Sequence, residues 1–441
     1  MDKATTMKCK IRGGCALEVY HFKRLKRRTT MVSQIFTLLF ILGIPFFIYG
    51  TYNLVLGLFG YSKHNKYTPA PPKHRMAAII AARNEEFVIG NLIESLHQQD
   101  YPQELIDIYV IPNNCTDNTE GVALAHGAKI MKCSFEVKCK GDALSQFFDY
   151  IFRKNDVYDA FCVFDADNLV DKRFFSSMNN ALASGEKIAQ GYRDSKNPDD
   201  SWVSGCQSVF YWTLNRFLNL SRHKLGWSAT LNGTGFMVHA DIVKEGFKTF
   251  SLTEDIEFTI QCVIKGYRVA WVPEAITFDE HPLTFEQSWS QRKRWSTGII
   301  QCFGIYSQQL FDCFRKDKNK CAMDMLIFLI APFVQVLTCI YTICSFIILG
   351  MLLVTTSIWS NALSFSILFS IGGLIFSVIF TAMILWLEGK KIKQVNNISI
   401  ISFWLYLVSW IPINIVCFIK PIEIWEPIEH TKSVSISQLV E

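Results

Sequence analysis

Ala160-Phe161-Cys162-Val163-Phe164, followed by Asp165-Ala166-Asp167-Asn168, is the stretch on which the reading of the fold turns. Five apolar residues and then two carboxylates one residue apart describe a short buried strand that ends in a polar loop. The same grammar repeats upstream. Met76–Ala82 reads as a strand and residues 85–98 as a helix; Ile106–Pro112 reads as a second strand, with helical patterns at 118–126 and 141–152. Such alternation predicts an α/β fold, a mostly parallel sheet flanked by helices. Ligands in that architecture bind beyond the carboxyl ends of the strands, and Asp165 and Asp167 stand at such an end.

Outside this region the chain changes character. Half of its 441 residues are hydrophobic and only 19% are charged. No charged residue falls between Arg28 and Lys63, between Asp324 and Glu388, or between Lys393 and Lys420. One helical pass needs ~20 apolar residues, so the first and third stretches hold one pass each. The middle one holds two, breaking near Thr355-Thr356-Ser357. The expected organisation is a basic segment 1–30, a first span 31–62 and a catalytic part 63–320. Spans two to four follow at 321–420, and a tail at 421–441, giving a transmembrane α-helical bundle of about four spans. The first apolar run exceeds the ~7–15 residues of a signal-peptide core and reads as a retained anchor. The net charge of +5 is concentrated near the membrane and points to lipid headgroups, with no nucleic-acid partner expected. Fourteen cysteines without a Cys-x-x-Cys pair indicate neither a disulfide framework nor a zinc site.

Three patterns carry chemistry. Asp165-Ala166-Asp167 can meet one hard cation, Mg2+ or Mn2+, and bridge it to a diphosphate; taken alone, an acidic loop is usually just solvated. Thr253-Glu254-Asp255 follows the glycine-rich turn Asn232-Gly233-Thr234-Gly235, and a carboxylate there is equally explained as a helix cap. Gln291-Arg292-Lys293-Arg294-Trp295 lies just before the second apolar region, where a basic aromatic helix is favoured at a membrane interface in any case.

In this order, and followed by apolar spans, the three patterns together resemble the processive family 2 glycosyltransferases of GT-A type, the group of cellulose, chitin, hyaluronan and poly-N-acetylglucosamine synthases. The resemblance covers roughly residues 76–298 and includes Ala82-Arg83-Asn84-Glu85-Glu86, Lys140-Gly141-Asp142 and Asp279-Glu280-His281-Pro282. It implies an inverting transfer from a nucleotide sugar, UDP-GlcNAc or UDP-Glc, to a glycan or lipid acceptor. It implies that Asp255 is the catalytic base and that Asp165 and Asp167 hold the metal. The donor would meet Ala82, Asn84, Glu86, Asn113, Lys140, Asp165, Gln291 and Arg294. The acceptor would meet Gly233, Thr234, Gly235, Glu254 and Trp295, the last through its ring face. One position departs from the pattern: Asn113 stands where the family usually has an aspartate for the uracil ring. An asparagine can accept there but can also donate. Asp117 reads as a turn residue.

Nucleotide sugars are cytosolic, so the catalytic part is expected in the cytosol of a cell whose plasma membrane holds the spans. The basic flanks Arg315–Lys320 and Lys390–Lys393 agree. The nine Lys and Arg of residues 1–30 do not, because a single crossing after a cytosolic N-terminus would put catalysis outside. An external N-terminus, or a first segment that does not cross simply, is expected. By parity the tail is external, unless the last apolar stretch is no crossing and Trp425, Glu426 and His430 fold back. A polymerising enzyme is the first reading, a lipid-directed single addition the second, and a non-catalytic membrane scaffold the remote third.

Overall fold

The computed structural model describes residues 3–154, 156–356, 359–422 and 432–439. Ser357, Trp425, Glu426 and His430 lie outside the described residues. Two compact units are present: the chain through Asn53 with Leu337–Phe369, and Leu54–Val336 with the chain from Ser370.

The first unit is helical. It holds most of α1 (Lys3–Leu58) and part of α12 (Ala331–Thr356). Tyr341 donates its hydroxyl to the Leu39 carbonyl at 2.9 Å, and its ring meets Phe46 at 5.4 Å.

The second unit is built on an eight-stranded sheet of order β3-β2-β1-β4-β7-β6-β8-β5. Its strands are β1 (Met76–Ala82), β2 (Ile106–Pro112), β3 (Lys129–Ile130), β4 (Ala160–Asp165), β5 (Leu169–Val170), β6 (Ile188–Ser195), β7 (Phe236–His239) and β8 (Ala270–Asp279). The β3-β2-β1-β4 half is parallel, as the βαβα reading requires. Beyond β4 the sheet is mixed: β7 runs antiparallel to β4 and β6, and β8 pairs parallel with β6.

Helices cover both faces, which is why β1, and β4 up to its terminal Asp165, are apolar rather than alternating. Met76, Ala78 and Ile80 face α2 (Ile89–His97) and α5 (Phe174–Ala183). Ala77 and Ile79 face α4 (Lys140–Lys154) and α9 (Glu254–Ile264). The shorter helices α3 (Thr119–Ala125), α7 (Ser221–Lys224) and α8 (Ala240–Val243) fill the connections.

Two further clusters of the second unit concern the apolar helices. α9 packs through Ile256 and Ile260 on α10 (Phe285–Asp317) and α11 (Lys320–Leu329). α10 starts with a capping box between Thr284 and Gln287. α6 (Trp202–Thr213) packs through Cys206, Val209 and Trp212 on Ile384 and Leu385 of α13 (Trp359–Leu387). It also meets Phe403 and Tyr406 of α14 (Asn397–Val408), which is followed by α15 (Trp410–Ile419). A short helix α16 (Ile436–Leu439) ends the described chain.

Among the described residues three helices are long and apolar enough to cross a membrane: Val32–Tyr61, Ala331–Ile348 and Asn397–Ile419. Ile371–Leu387 is a shorter apolar helix. The four apolar segments read from the sequence are thus present as helices, but they differ in burial. A third of Asn397–Ile419 is buried in the protein, against 6% of Ala331–Ile348 and none of Val32–Tyr61.

Candidate active site

The carboxyl ends of β1, β2 and β4 carry the upstream candidates. Ala82 closes β1, and Asn84 follows it in the left-handed region, at φ 59°, with its Oδ1 accepting from the Thr116 amide at 2.7 Å. Glu86 accepts from the Asn118 amide at 2.9 Å. Asp117 receives the Thr119 amide and hydroxyl and the Glu86 amide, and so acts as the turn residue expected. Asn113 donates its Nδ2 to the carbonyls of Ala82 and Ile111 at 3.0 and 3.4 Å. Its donor side is therefore occupied inside the protein.

The Asp165 carboxylate accepts from Lys140 Nζ at 2.5 Å, and the same ammonium donates to the Gly233 carbonyl at 2.7 Å. The first residue of α4, the end of β4 and the glycine turn thus meet at one charge. Gly233 and Gly235 take φ +83° and +62°, where a side chain is strained, and a Cβ on Gly233 would lie 3.6 Å from Asp255 Oδ2. Thr234 is fully buried; its hydroxyl bonds Asn168 and accepts from the Asp165 amide, so it orders the Asp-x-Asp turn. Asp167 is buried, and its Oδ2 accepts from the Glu280 amide at 3.0 Å.

Asp255 is the second residue of α9. Burial raises its carboxyl, the neighbouring Glu254 carboxylate adds to this, and the Ile256 amide, Arg294 and Lys140 oppose; the outcome is a pKa pushed up to about 7. The Thr253-Glu254-Asp255 segment is gripped by α10. A Cβ on Gly298 would collide with the Thr253 side chain, Gln301 accepts from the Leu252 amide at 3.0 Å, and Arg294 reaches the Leu252 carbonyl at 3.5 Å. Trp295 packs edge-on to Tyr211 and stacks on Trp410, with centroids at 6.1 and 6.2 Å. Gln291 accepts from Gln207 of α6 at 2.8 Å, which places it in the support of the helix.

Several residues at this centre escaped the sequence reading. Arg193, near the end of β6, forms a buried ion pair with Asp279, donates to the Asn232 carbonyl at 2.7 Å and lies 4.2 Å over the Tyr211 ring. Tyr211 stacks on His281 at 5.2 Å. His281 is buried, its two ring nitrogens have no hydrogen-bond partner among the described residues, and burial together with Arg193 pushes its pKa down to about 3, leaving a neutral imidazole. Lys196 is buried among Asp167, Glu280 and Glu85; burial lowers its pKa and those carboxylates oppose this. Residues 193–196 lie at the carboxyl end of a strand, so a reading of 188–195 as β6 would have drawn attention to both cations.

Arg292 was quoted in its motif but given no role. Its side chain is fully buried, donates to Ser288, to the Tyr406 carbonyl and to the Ser409 hydroxyl, and lies 4.2 Å over the Tyr406 ring.

Asp165 and Asp167 fit a hard divalent cation. Asp165 already binds a cationic group and its side chain is 36% exposed toward the cleft. No three carboxylate, imidazole or thiolate groups converge at ligand distance among the described residues, so a metal here would take the rest of its shell from donor oxygens and water, as Mg2+ commonly does.

A family model described as "Glycosyltransferase like family 2" matches residues 72–298, more than half of the chain and the whole span from β1 to Trp295. The chain belongs to glycosyltransferase family 2. Its relatives within the family differ in product. It is 26% identical over 55% of its length to the probable glycosyltransferase YdaM of Bacillus subtilis, covering 59% of that protein. It is 23% identical over 59% to a beta-monoglucosyldiacylglycerol synthase of Synechocystis, covering 55% of it. It is 25% identical over 50% to a poly-beta-1,6-N-acetyl-D-glucosamine synthase of Staphylococcus aureus, covering 53% of it. The matches thus span little more than half of these curated relatives. Among solved structures, a mannosyltransferase of Pyrobaculum calidifontis in complex with GDP-Man and Mn2+ shares the fold, with TM-score 0.56, 13% identity and coverage of 85% of this chain and 98% of that one.

Proposed function

We propose that this family 2 glycosyltransferase performs an inverting transfer of a hexose or N-acetylhexosamine from a UDP-linked donor at the cytosolic face of the plasma membrane. The observation that carries the reading is the convergence of the Asp255 carboxylate, the Lys140–Asp165 pair and Arg294 around the Gly233 turn. Asp255 takes the proton of the acceptor hydroxyl. Lys140 and Arg294 supply positive charge for the leaving diphosphate, and Asp165 and Asp167 would hold a divalent metal beside them. Bound metal would neutralise that diphosphate; the chain's own cations orient it. With its amide nitrogen donating within the protein, Asn113 meets a uracil ring N–H through its carbonyl oxygen in this reading.

A growing β-linked polysaccharide remains the first reading of the acceptor, and GlcNAc, then Glc, the first readings of the sugar. A single addition to a lipid is supported by a specific contact: Trp295 stacks on Trp410, which belongs to an apolar segment whose other face is exposed. Purified full-length protein in detergent, offered a panel of nucleotide sugars, should release nucleoside diphosphate from UDP-GlcNAc or UDP-Glc. Release from neither, with turnover of another donor, would refute the donor assignment. Product length then separates the two acceptors. Trp289 lies on the same helix α10, against Phe285; in the polymer reading Trp295→Ala shortens the product and Trp289→Ala does not, while equal, mild effects favour the lipid.

A further inference from the structure

The chain is anchored to one place on the sheet-bearing unit both before and after the last apolar stretch. Just before α14, Asn396 donates its amide to the Pro198 carbonyl at 3.1 Å, and its Nδ2 reaches the Asp199 carbonyl at 3.5 Å. After α15 the chain returns at Lys432. The Lys432 ammonium bonds the two oxygens of Asp200 at 2.7 and 2.8 Å, its amide meets the Glu280 carboxylate at 3.1 Å, and Ser433 accepts from Asn91 at 2.8 Å. Entry and return are therefore anchored on consecutive residues, Pro198, Asp199 and Asp200.

A crossing is hard to reconcile with these anchors. As one helix, Asn397–Ile419 is ~34 Å long, enough to span the ~30 Å hydrocarbon layer. Its far end would then be on the other side, and residues 420–431 would have to bring the chain back. Those residues include Glu423, Glu426, Glu429, Pro421 and Pro427. Three carboxylates and a proline-broken backbone in hydrocarbon would leave charges and peptide groups without partners, which bilayers exclude.

The faces of the segment agree. Ser399, Phe403, Tyr406, Ile413 and Cys417 recur at intervals of three, four or seven and are buried, with Asn414 buried beside Ile413. The buried stripe rests on α6 and α10. A Cβ on Gly205 would collide with the Ser399 hydroxyl, so the α6 and α14 backbones are in close approach, and Cys417 donates to the Lys293 carbonyl at 3.4 Å. The opposite face exposes Ile398, Ile401, Trp404, Leu405 and Val408, with Ile419 exposed at its end. The protein covers the polar side that an ordinary interfacial helix would turn to water, so the segment needs no charges of its own.

We propose that Asn397–Ile419 does not cross the bilayer but lies within one leaflet, the lipid-facing floor of the catalytic unit, with its start and the returning tail on the catalytic side. The partner of its exposed face is the acyl region of that leaflet. The proposal replaces the fourth crossing expected from the sequence and the external tail that parity implied. It does not depend on which sugar or acceptor the enzyme uses.

Two measurements test it on the full-length protein. With one epitope after Glu441 and another in the exposed loop at Val157, protease added to sealed membrane vesicles should remove both epitopes in one vesicle orientation and neither in the other. Removal of one with protection of the other overturns the proposal. Spin labels at Ile401 and Ile419, placed through an unnatural amino acid because the chain has fourteen cysteines, should report similar depths in nanodiscs. A crossing helix would separate them in depth by ~27 Å, and that result also overturns it.

Discussion

At the scale of single residues, Asp255 makes a prediction in two directions. As a base it must be unprotonated, so kcat/KM should rise with pH through about 7. Asp255→Asn should lose ~10²-fold or more in transfer while donor binding persists. The folded protein holds this proton more tightly than the unfolded chain does. Asp255 therefore costs stability as pH rises from about 4 to about 7. The asparagine variant should melt higher than the parent at pH 8, and the difference should disappear near pH 4; a thermal melt at the two pH values checks both. Arg292 illustrates a residue whose type was visible and whose role was not. It has no carboxylate partner among the described residues, and it binds the end of α14, where the helix dipole favours a cation. Arg292→Met should disturb the seat of Trp295 and cost ~10-fold or more in transfer, a misplacement effect, with donor KM little changed and Arg292→Lys recovering part of the loss. If the effect runs through Trp295, the same change should add little in a Trp295→Ala background. Asn113→Asp should keep or strengthen the preference for UDP donors, since the accepting oxygen is the group retained; competition by UDP against GDP measures it.

At the scale of elements, α10 brings the downstream motifs into register. Its Gly298 lets the helix press on Thr253, its Gln301 holds the Leu252 amide, and Arg294 and Trp295 lie one turn earlier. Gly298→Val should displace the Thr253–Asp255 segment without touching any ligand. A loss of ~10²-fold in turnover is expected, with donor binding and the detergent elution profile largely kept; unchanged turnover would show that this grip does not set the base. The strands β1, β2 and β4 were legible because parallel strands buried on both faces are written as unbroken apolar runs between turn signals. β6 and β8 were not, since Ile188–Ser195 and Ala270–Asp279 mix charged and apolar residues, and a strand that ends at an active site spends its last positions on chemistry. For the same reason Arg193 and Lys196 went unread: no local motif marks them, and only the pairing of β6 with β8 carries them to Asp167 and Asp279; Tyr211, on α6, meets Arg193 and His281 only in the folded chain.

At the scale of the whole molecule, removal of metal is the broadest test of the centre. Excess EDTA should silence transfer and added Mg2+ or Mn2+ restore it, whereas Asp167→Ala should weaken both donor binding and metal response. Full activity in EDTA would leave Lys140 and Arg294 as the sole charge partners of the diphosphate. Within the sheet-bearing unit, Trp295 of α10 stacks on Trp410, Arg292 of the same helix donates to the Tyr406 carbonyl of α14, and the Lys432 amide meets the Glu280 carboxylate.

What the sequence determined by itself is what local patterns encode: the apolar strands, the acids at their ends, the glycine turn, the basic aromatic helix and the apolar runs, and with them the family. These follow from periodicity and composition, which act over a few residues. Tertiary structure decided which polar atoms are already engaged, so that Asn113 is left to accept, Thr234 is committed to Asn168, and Gln291 to Gln207. It also revealed the buried Arg292 and His281, and the contacts of Asn396 and Lys432, on either side of Asn397–Ile419, with residues 198–200. A 23-residue apolar helix has the same composition whether it crosses a bilayer or lies in one leaflet. The difference resides in contacts between residues some two hundred positions apart, and no local pattern records them.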